Sequence, residues 1–298
     1  MDESFLTNLN PQQKKAIQKT SGPSIILAGA GSGKTRVLVS KVINLIRNYK
    51  INPSNILMIT FTNKAAKEMQ NRIISNLTSN TKLGFIGTFH SMCARILRID
   101  GAKLGIGNKY LIYDESDQLK VIKKIIKEKD IKDFTPSYAL NRISSAKNEL
   151  ISPDNYLKYF SDHRAKEISK IYIQYQKNLL KNSALDFDDL LIKTIELFQK
   201  SKSTLNKYQE IYRYVLVDEF QDTNLAQYLL TRLLASKYKN ITVVGDFSQS
   251  IYSWRGADIK NLEKFKNDFP NTTIFKLEKN YRSTQVILDF AHQIILKN

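Results

Sequence analysis

Ile25-Ile26-Leu27-Ala28-Gly29-Ala30-Gly31-Ser32-Gly33-Lys34-Thr35 decides the fold. An apolar run passes into a glycine-rich turn, and Val37, Leu38, Val42, Leu45 and Ile46 then recur at helical spacing. That order of strand, glycine loop and helix is the cradle of a nucleoside triphosphate. Glycines let successive backbone N–H groups turn inward onto phosphate oxygens, while the start of the following helix offers its positive end. Lys34 reaches the β- and γ-phosphates, and the Thr35 hydroxyl ligates Mg²⁺. The strict form of the pattern has glycine where this chain has Ala28, a departure that leaves the chemistry intact. At this point the base is open: the cradle suits ATP or GTP.

Working outward, short β-rich runs at 24–29, 56–61, 85–89, 214–218, 241–245 and 273–277 alternate with helical periodicities, the signature of an α/β fold with a parallel sheet. Crossover helices are predicted at 63–77, with Ala66, Met69, Ile73 and Leu77 on one face, and at 258–269, where Pro270-Asn271 stops the run. Between about 110 and 182 the pattern changes. Leu119, Ile122, Ile125 and Ile126, then Ile168, Ile171, Tyr172, Tyr175 and Leu179, keep helical spacing with little strand signal. An inserted, mostly helical domain is expected there.

The 298 residues exceed one typical domain, and 46 Lys+Arg against 28 Asp+Glu give a net charge of +18. A polyanionic partner follows, nucleic acid first and an anionic membrane surface second. Abundant Lys, Ile and Asn also fit an AT-rich coding sequence, so not all of that charge need be selected. The lysines at 120, 123, 124, 127, 129 and 132 read as a solvated helix face rather than a DNA-facing stripe. The acidic start and the lack of a long uncharged apolar run argue against a signal peptide and a membrane span, so a soluble, cytoplasmic protein is expected. Cys93 stands alone, as a small buried hydrophobe, and His90, His163 and His292 are scattered, so no disulfide or metal cluster is expected. Mg²⁺ accompanying the nucleotide is the only metal implied.

A second half of the site lies at Tyr214-Val215-Leu216-Val217-Asp218-Glu219, an apolar strand ending in two carboxylates. Asp218 is placed to hold Mg²⁺ and Glu219 to act as general base on the attacking water, since the base must not be consumed by the metal. Gln221 and Asp222 continue that segment. After 241–246 comes a loop, 247–256, in which Gln249 precedes Tyr252, Trp254 and Arg255, an interleaving suited to bases stacked on rings and phosphate held by a cation.

Together these stretches resemble the N-terminal half, domains 1A and 1B, of a superfamily 1 DNA helicase of the UvrD/Rep/PcrA type. Leu9-Asn10-Pro11-Gln12-Gln13 with Ala16 resembles the Q motif, 28–35 the Walker A motif (written with alanine first in this family), and 59–66 motif Ia. Gly87-Thr88-Phe89-His90-Ser91 follows as motif Ib, 218–223 as motif II, 245–256 as motif III and Asn280-Tyr281-Arg282-Ser283 as motif IV. The resemblance implies a RecA-like P-loop domain over 1–110 and 183–279, a helical insertion over 111–182, and the start of a second RecA-like domain over 280–298.

It further implies ATP rather than GTP. Gln13 would read the adenine edge and Tyr281 stack on the ring. Ala28, Gly29, Ala30, Gly31, Ser32, Gly33, Lys34, Thr35 and Arg36 would hold the phosphates. Arg282 would lie near the γ-phosphate and Gln249 would sense it. Phe61, Thr62, Asn63, His90, Tyr252, Trp254 and Arg255 would line a groove for single-stranded DNA, with Phe61 open to an alternative role in the core and His90 to a helix-start hydrogen bond. The implied function is an ATP-dependent, 3′ to 5′ DNA helicase of repair or replication, acting without sequence preference on single strands and single-/double-strand junctions, with no membrane partner. The alternatives are a short ATP-responsive single-strand binder and the N-terminal part of a RecB/AddA-type helicase-nuclease. No segment resembles the family's motifs V and VI, so weak hydrolysis is expected of this chain alone.

Overall fold

The computed structural model describes residues 4–77, 81–132, 135–246 and 260–295. Its strands are β1 (Ser24–Ala28), β2 (Ile56–Ile59), β3 (Phe85–Gly87), β4 (Leu111–Tyr113), β5 (Ala184–Asp186), β6 (Tyr214–Val217), β7 (Ile241–Gly245) and β8 (Thr273–Leu277). The first helices are α1 (Pro11–Gln18), α2 (Lys34–Arg47), α3 (Asn63–Ile74) and α4 (Phe89–Asp100). In the middle come α5 (Glu115–Glu128), α6 (Pro136–Asn148), α7 (Tyr156–Tyr159) and α8 (Ala165–Lys181). The rest are α9 (Phe187–Lys200), α10 (Lys202–Ile211), α11 (Leu225–Ala235), α12 (Lys260–Asp268) and α13 (Gln285–Ile295).

Six strands form one sheet in the order β3-β2-β6-β7-β1-β8, with every neighbouring pair parallel. Its central strands are apolar on both faces because helices cover both. Ile25, Leu57, Ile59, Val215, Val217, Ile241 and Val243 point into one core with α4, α9, α10, α11 and α12. Their neighbours Ile26, Ala28, Ile56, Met58, Leu216 and Val244 point into the other, with α1, α2 and α3. This is the α/β architecture the sequence predicts, and all six predicted strands are in this sheet. Because all run the same way, every carboxyl end opens on one edge.

Several boundaries shift for local reasons. The run predicted as strand over 85–89 ends at Gly87, because Thr88 caps α4: its hydroxyl accepts the Ser91 N–H while Ser91 Oγ accepts the Thr88 N–H. Helix α3 ends before Leu77, and β2 stops at Ile59, although the Thr60 N–H still reaches the Gly87 carbonyl at 3.0 Å. Of the helix predicted over 258–269, the first two residues lie outside the described ones.

Helices α5, α6, α7 and α8 surround an apolar cluster of their own, including Ile122, Ile125, Leu140, Ile143, Tyr156, Ile168, Tyr172 and Tyr175. At its base β4 and β5 pair in parallel, a two-stranded ribbon the helical reading of this region does not contain. Beside the ribbon Lys147 of α6 is 1% exposed and donates to Asp186 Oδ2 at 2.6 Å and Asp189 Oδ1 at 2.7 Å, while the Tyr175 hydroxyl donates to Asp186 at 2.8 Å. Burial alone would push the ammonium down; Asp186 and Asp189 outweigh it and hold Lys147 above the ordinary lysine range. The α5 lysines 120 and 124 are exposed and pair loosely with Asp117 and Glu128, as a solvated face does. Cys93 is fully buried, which pushes its thiol up to about 12. Among the described residues no helix is long and apolar enough to cross a membrane.

Candidate functional site

The glycine loop joins β1 to α2 at the carboxyl edge of the sheet. Gly31 and Gly33 hold φ of 67° and 87°, backbone that costs other residues strain. Ser32 tightens the turn by donating its N–H and its hydroxyl to the Gly29 carbonyl at 3.2 and 2.7 Å. Lys34, Thr35 and Arg36 then open α2, Arg36 exposed and the other two half-buried. Gln13 is buried in α1, and its Nε2 donates to the Ser32 carbonyl at 2.8 Å. Helix α1 is itself fastened to α2, where Lys41 Nζ donates to the carbonyls of Ala16 and Lys19 at 2.9 and 2.5 Å. Ala28 is the buried last residue of β1.

The segment after β8 returns to this loop. Asn280 Nδ2 donates to the Ala30 carbonyl at 2.6 Å and the Tyr281 N–H to the Gly31 carbonyl at 2.9 Å. The exposed Tyr281 hydroxyl accepts from Asn10 at 2.8 Å, and Arg282 stacks its Cβ against the Gly31 position. Gln13, the 28–36 loop, Tyr281 and Arg282 are thus brought to one place.

Asp218 and Glu219 follow β6, two strands from β1. Glu219 Oε2 lies 3.1 Å from Lys34 Nζ, across the end of β7. Glu219 takes φ 47° and ψ 45°, a left-handed conformation uncommon for a residue with a side chain and of the kind that gathers at functional sites. Burial, then the Glu219 charge, pushes the Asp218 carboxyl up to about 7. The same two causes push Asp222 up to about 6, and its Oδ1 is buried without a hydrogen-bond partner. A divalent cation suits this excess of buried carboxylate. No group of three or more metal-ligating side chains is assembled among the described residues. Asp218 and the Thr35 hydroxyl are the residues that fit such a cation.

Gln221, read in sequence only as a continuation of the strand end, is buried behind these carboxylates. Its Nε2 donates to Glu219 Oε2 and Asp222 Oδ2, each at 3.0 Å, and its Oε1 accepts the Asp246 N–H at 3.0 Å.

Toward the opposite end of the edge, β2 and β3 carry the residues expected to meet DNA. Thr62 and Asn63 are exposed at the start of α3, where the Thr62 hydroxyl caps the Ala65 N–H at 3.1 Å. Phe61 is half-buried, between its two expected roles. His90 lies in the first turn of α4, where burial pushes its imidazole below the ordinary histidine range. Its ring meets Phe187 edge to face at 5.6 Å between centroids, and Phe187, at the start of α9, is 46% exposed. Sequence reading missed Phe187 because it sits in an ordinary Leu-Asp-Phe-Asp-Asp helix start; an aromatic among helix-capping acids was its only signal. Gln249, Tyr252, Trp254 and Arg255 lie outside the described residues.

The family model described as the UvrD/REP helicase N-terminal domain matches residues 9–270. The chain is 49% identical over 296 residues to the ATP-dependent DNA helicase PcrA of Bacillus subtilis, and 46% and 47% identical over the same length to proteins of that description from Staphylococcus aureus and Staphylococcus epidermidis. Each alignment takes in 99% of this chain and only 40 or 41% of the relative, so the chain spans about two fifths of their length.

Proposed function

Because the chain belongs to the UvrD/REP helicase family, we propose that it forms the ATP-hydrolysing and strand-gripping part of an ATP-dependent DNA helicase that moves 3′ to 5′ along single-stranded DNA. The observation that carries the reading is the meeting of Lys34 and Glu219 at 3.1 Å, since their strands, β1 and β6, are not neighbours in the sheet. A phosphate-binding lysine and a carboxylate that meet at one edge of the sheet are what in-line attack of water on a terminal phosphate requires. In this reading 1–110 and 183–279 make up the ATPase domain, 111–182 an inserted domain, and 280–298 the beginning of a second RecA-like domain.

Each residue type has a role in this reading. Backbone N–H groups of 29–33 and the start of α2 hold the phosphate oxygens, Lys34 neutralises the β/γ bridge, and Gln13 selects adenine from its place beside Ser32. Tyr281 covers the base and Arg282 approaches the γ-phosphate from the segment bonded to Ala30 and Gly31. Thr35 and Asp218 would hold Mg²⁺, which would supply charge neutralisation on the leaving group. Glu219 aligns the water and takes its proton on a carboxylate oxygen. Along the same edge Phe61, Thr62, Asn63, His90 and Phe187 receive bases and phosphates; for Tyr252, Trp254 and Arg255 as further DNA contacts, and Gln249 as sensor of the γ-phosphate, the support is the sequence motif alone. Stacking of this kind is worth about 1–3 kcal/mol per base and ignores sequence, so single strands and their junctions with duplex are the proposed ligands. A cytoplasmic location and a place in repair or replication belong to the same proposal.

Steady-state ATP hydrolysis, with and without a mixed-sequence single-stranded oligonucleotide, tests it. Stimulation by the oligonucleotide, lost by about 10²–10⁴ in Glu219→Gln, is the expected result. Hydrolysis indifferent to both the oligonucleotide and the substitution overturns it.

A further inference from the structure

Lys34 and Gln221 grip the same atom, Glu219 Oε2, from two sides, at 3.1 and 3.0 Å. The two grips differ in what else they must do. Lys34 belongs to the phosphate cradle, and a triphosphate there draws its ammonium away from Glu219. Gln221 is anchored elsewhere: its carbonyl end accepts the Asp246 N–H at the end of β7, and the residue is 3% exposed. That N–H also fixes which way the amide faces. The oxygen must meet the donor, so the two protons of Nε2 point at Glu219 and Asp222, each 3.0 Å away.

Glu219 needs such a holder. Its backbone is left-handed and leads into a single turn of 3₁₀ helix, Phe220–Asp222, so no regular element orients its carboxylate. We infer that Gln221 is the positioning residue of the reaction: it braces the Glu219 carboxylate against the end of β7, and takes over that carboxylate when Lys34 turns to phosphate. The inference rests on the role of Glu219 as base proposed above. It predicts an effect on turnover rather than on nucleotide binding, because the amide's bonds to Glu219, Asp222 and Asp246 go to residues outside the 28–36 loop.

The test is ATP turnover by Gln221→Met and Gln221→Glu, alone and combined with Glu219→Gln, in the presence of saturating single-stranded DNA. Met keeps the length and removes both ends of the brace. Glu keeps an oxygen for the Asp246 N–H and removes the donor, so it carries the test even where Met impairs folding. Both variants are expected to lose about 10- to 100-fold in kcat with KM for ATP within about twofold, the scale of a displaced reacting group. In the Glu219→Gln background, measured by single turnover, the same changes are expected to add less than about twofold, because they act through the residue already disabled. Wild-type kcat in Gln221→Glu reduces Gln221 to an anchor of its turn and overturns the inference, as do losses that multiply in the double variants. Full activity in Glu219→Gln alone is a different result, which overturns the assignment of the base and the brace with it.

Discussion

Gly31 has room for a hydrogen and nothing larger. A Cβ there would lie 2.7 Å from the Arg282 Cβ and 2.9 Å from Asn280 Oδ1, at a φ of 67° that already disfavours a side chain. Gly29, two positions earlier, would meet nothing within 4 Å. Gly31→Ala is therefore expected to cost about 1–3 kcal/mol of stability and Gly29→Ala close to none, by denaturant unfolding without nucleotide. Asp218 gives a prediction with a pH sign. Its carboxyl titrates near 7 in the fold against 3.8 when free, so between these values the folded state holds the proton and stability falls as pH rises. Asp218→Asn, in Mg²⁺-free buffer, should stabilise the protein by about 1–4 kcal/mol at pH 8, with the gain shrinking below pH 7 and gone near pH 4. Unfolding midpoints of both proteins at each pH check it. The grouping of Gln13, the 28–36 loop, Tyr281 and Arg282 was legible because each proposed role asks for its own residue type at fixed spacing. The placements of Gln221 and Phe187 were not, because an amide and a ring acquire them only from Asp246 and His90, which lie far from them in sequence.

Among the elements, the junction of α6, β5 and α9 is held by a charge cluster. Lys147→Met removes the cation between Asp186 and Asp189 and leaves two buried carboxylates facing each other. A loss of about 3–5 kcal/mol is expected, read by thermal unfolding, against about 1 kcal/mol or less for breaking the exposed Arg72–Glu68 pair by Arg72→Ala. All six strands of the large sheet were legible: burial on two faces writes a continuous apolar run in β1, β2, β6 and β7, and the half-buried edge strands β3 and β8 show as short β-rich runs. The ribbon of β4 and β5 was not. Each strand has three residues, and Asp186, the last of β5, doubles as the cap of α9, so the local signal is that of a helix start.

On the scale of the molecule, the net charge of +18 and the proposed groove make affinity for single strands a counterion-release effect. Raising salt from about 50 to about 200 mM should weaken oligonucleotide binding by about 10- to 100-fold, with little difference between unrelated sequences of equal length. Fluorescence anisotropy titrations measure both, and a strong sequence preference contradicts the groove proposed here.

The order of the large sheet also governs how the chain comes to be folded. Strand β1 is formed early in the sequence but lies between β7 and β8, and Ser24 meets Thr242, 218 positions further along. A ribosome must therefore deliver most of the chain before β1 finds either neighbour. Until then Ile25 and Ile26 stand beside open edges in a nascent protein, a state that calls for slow folding and for chaperone protection during synthesis.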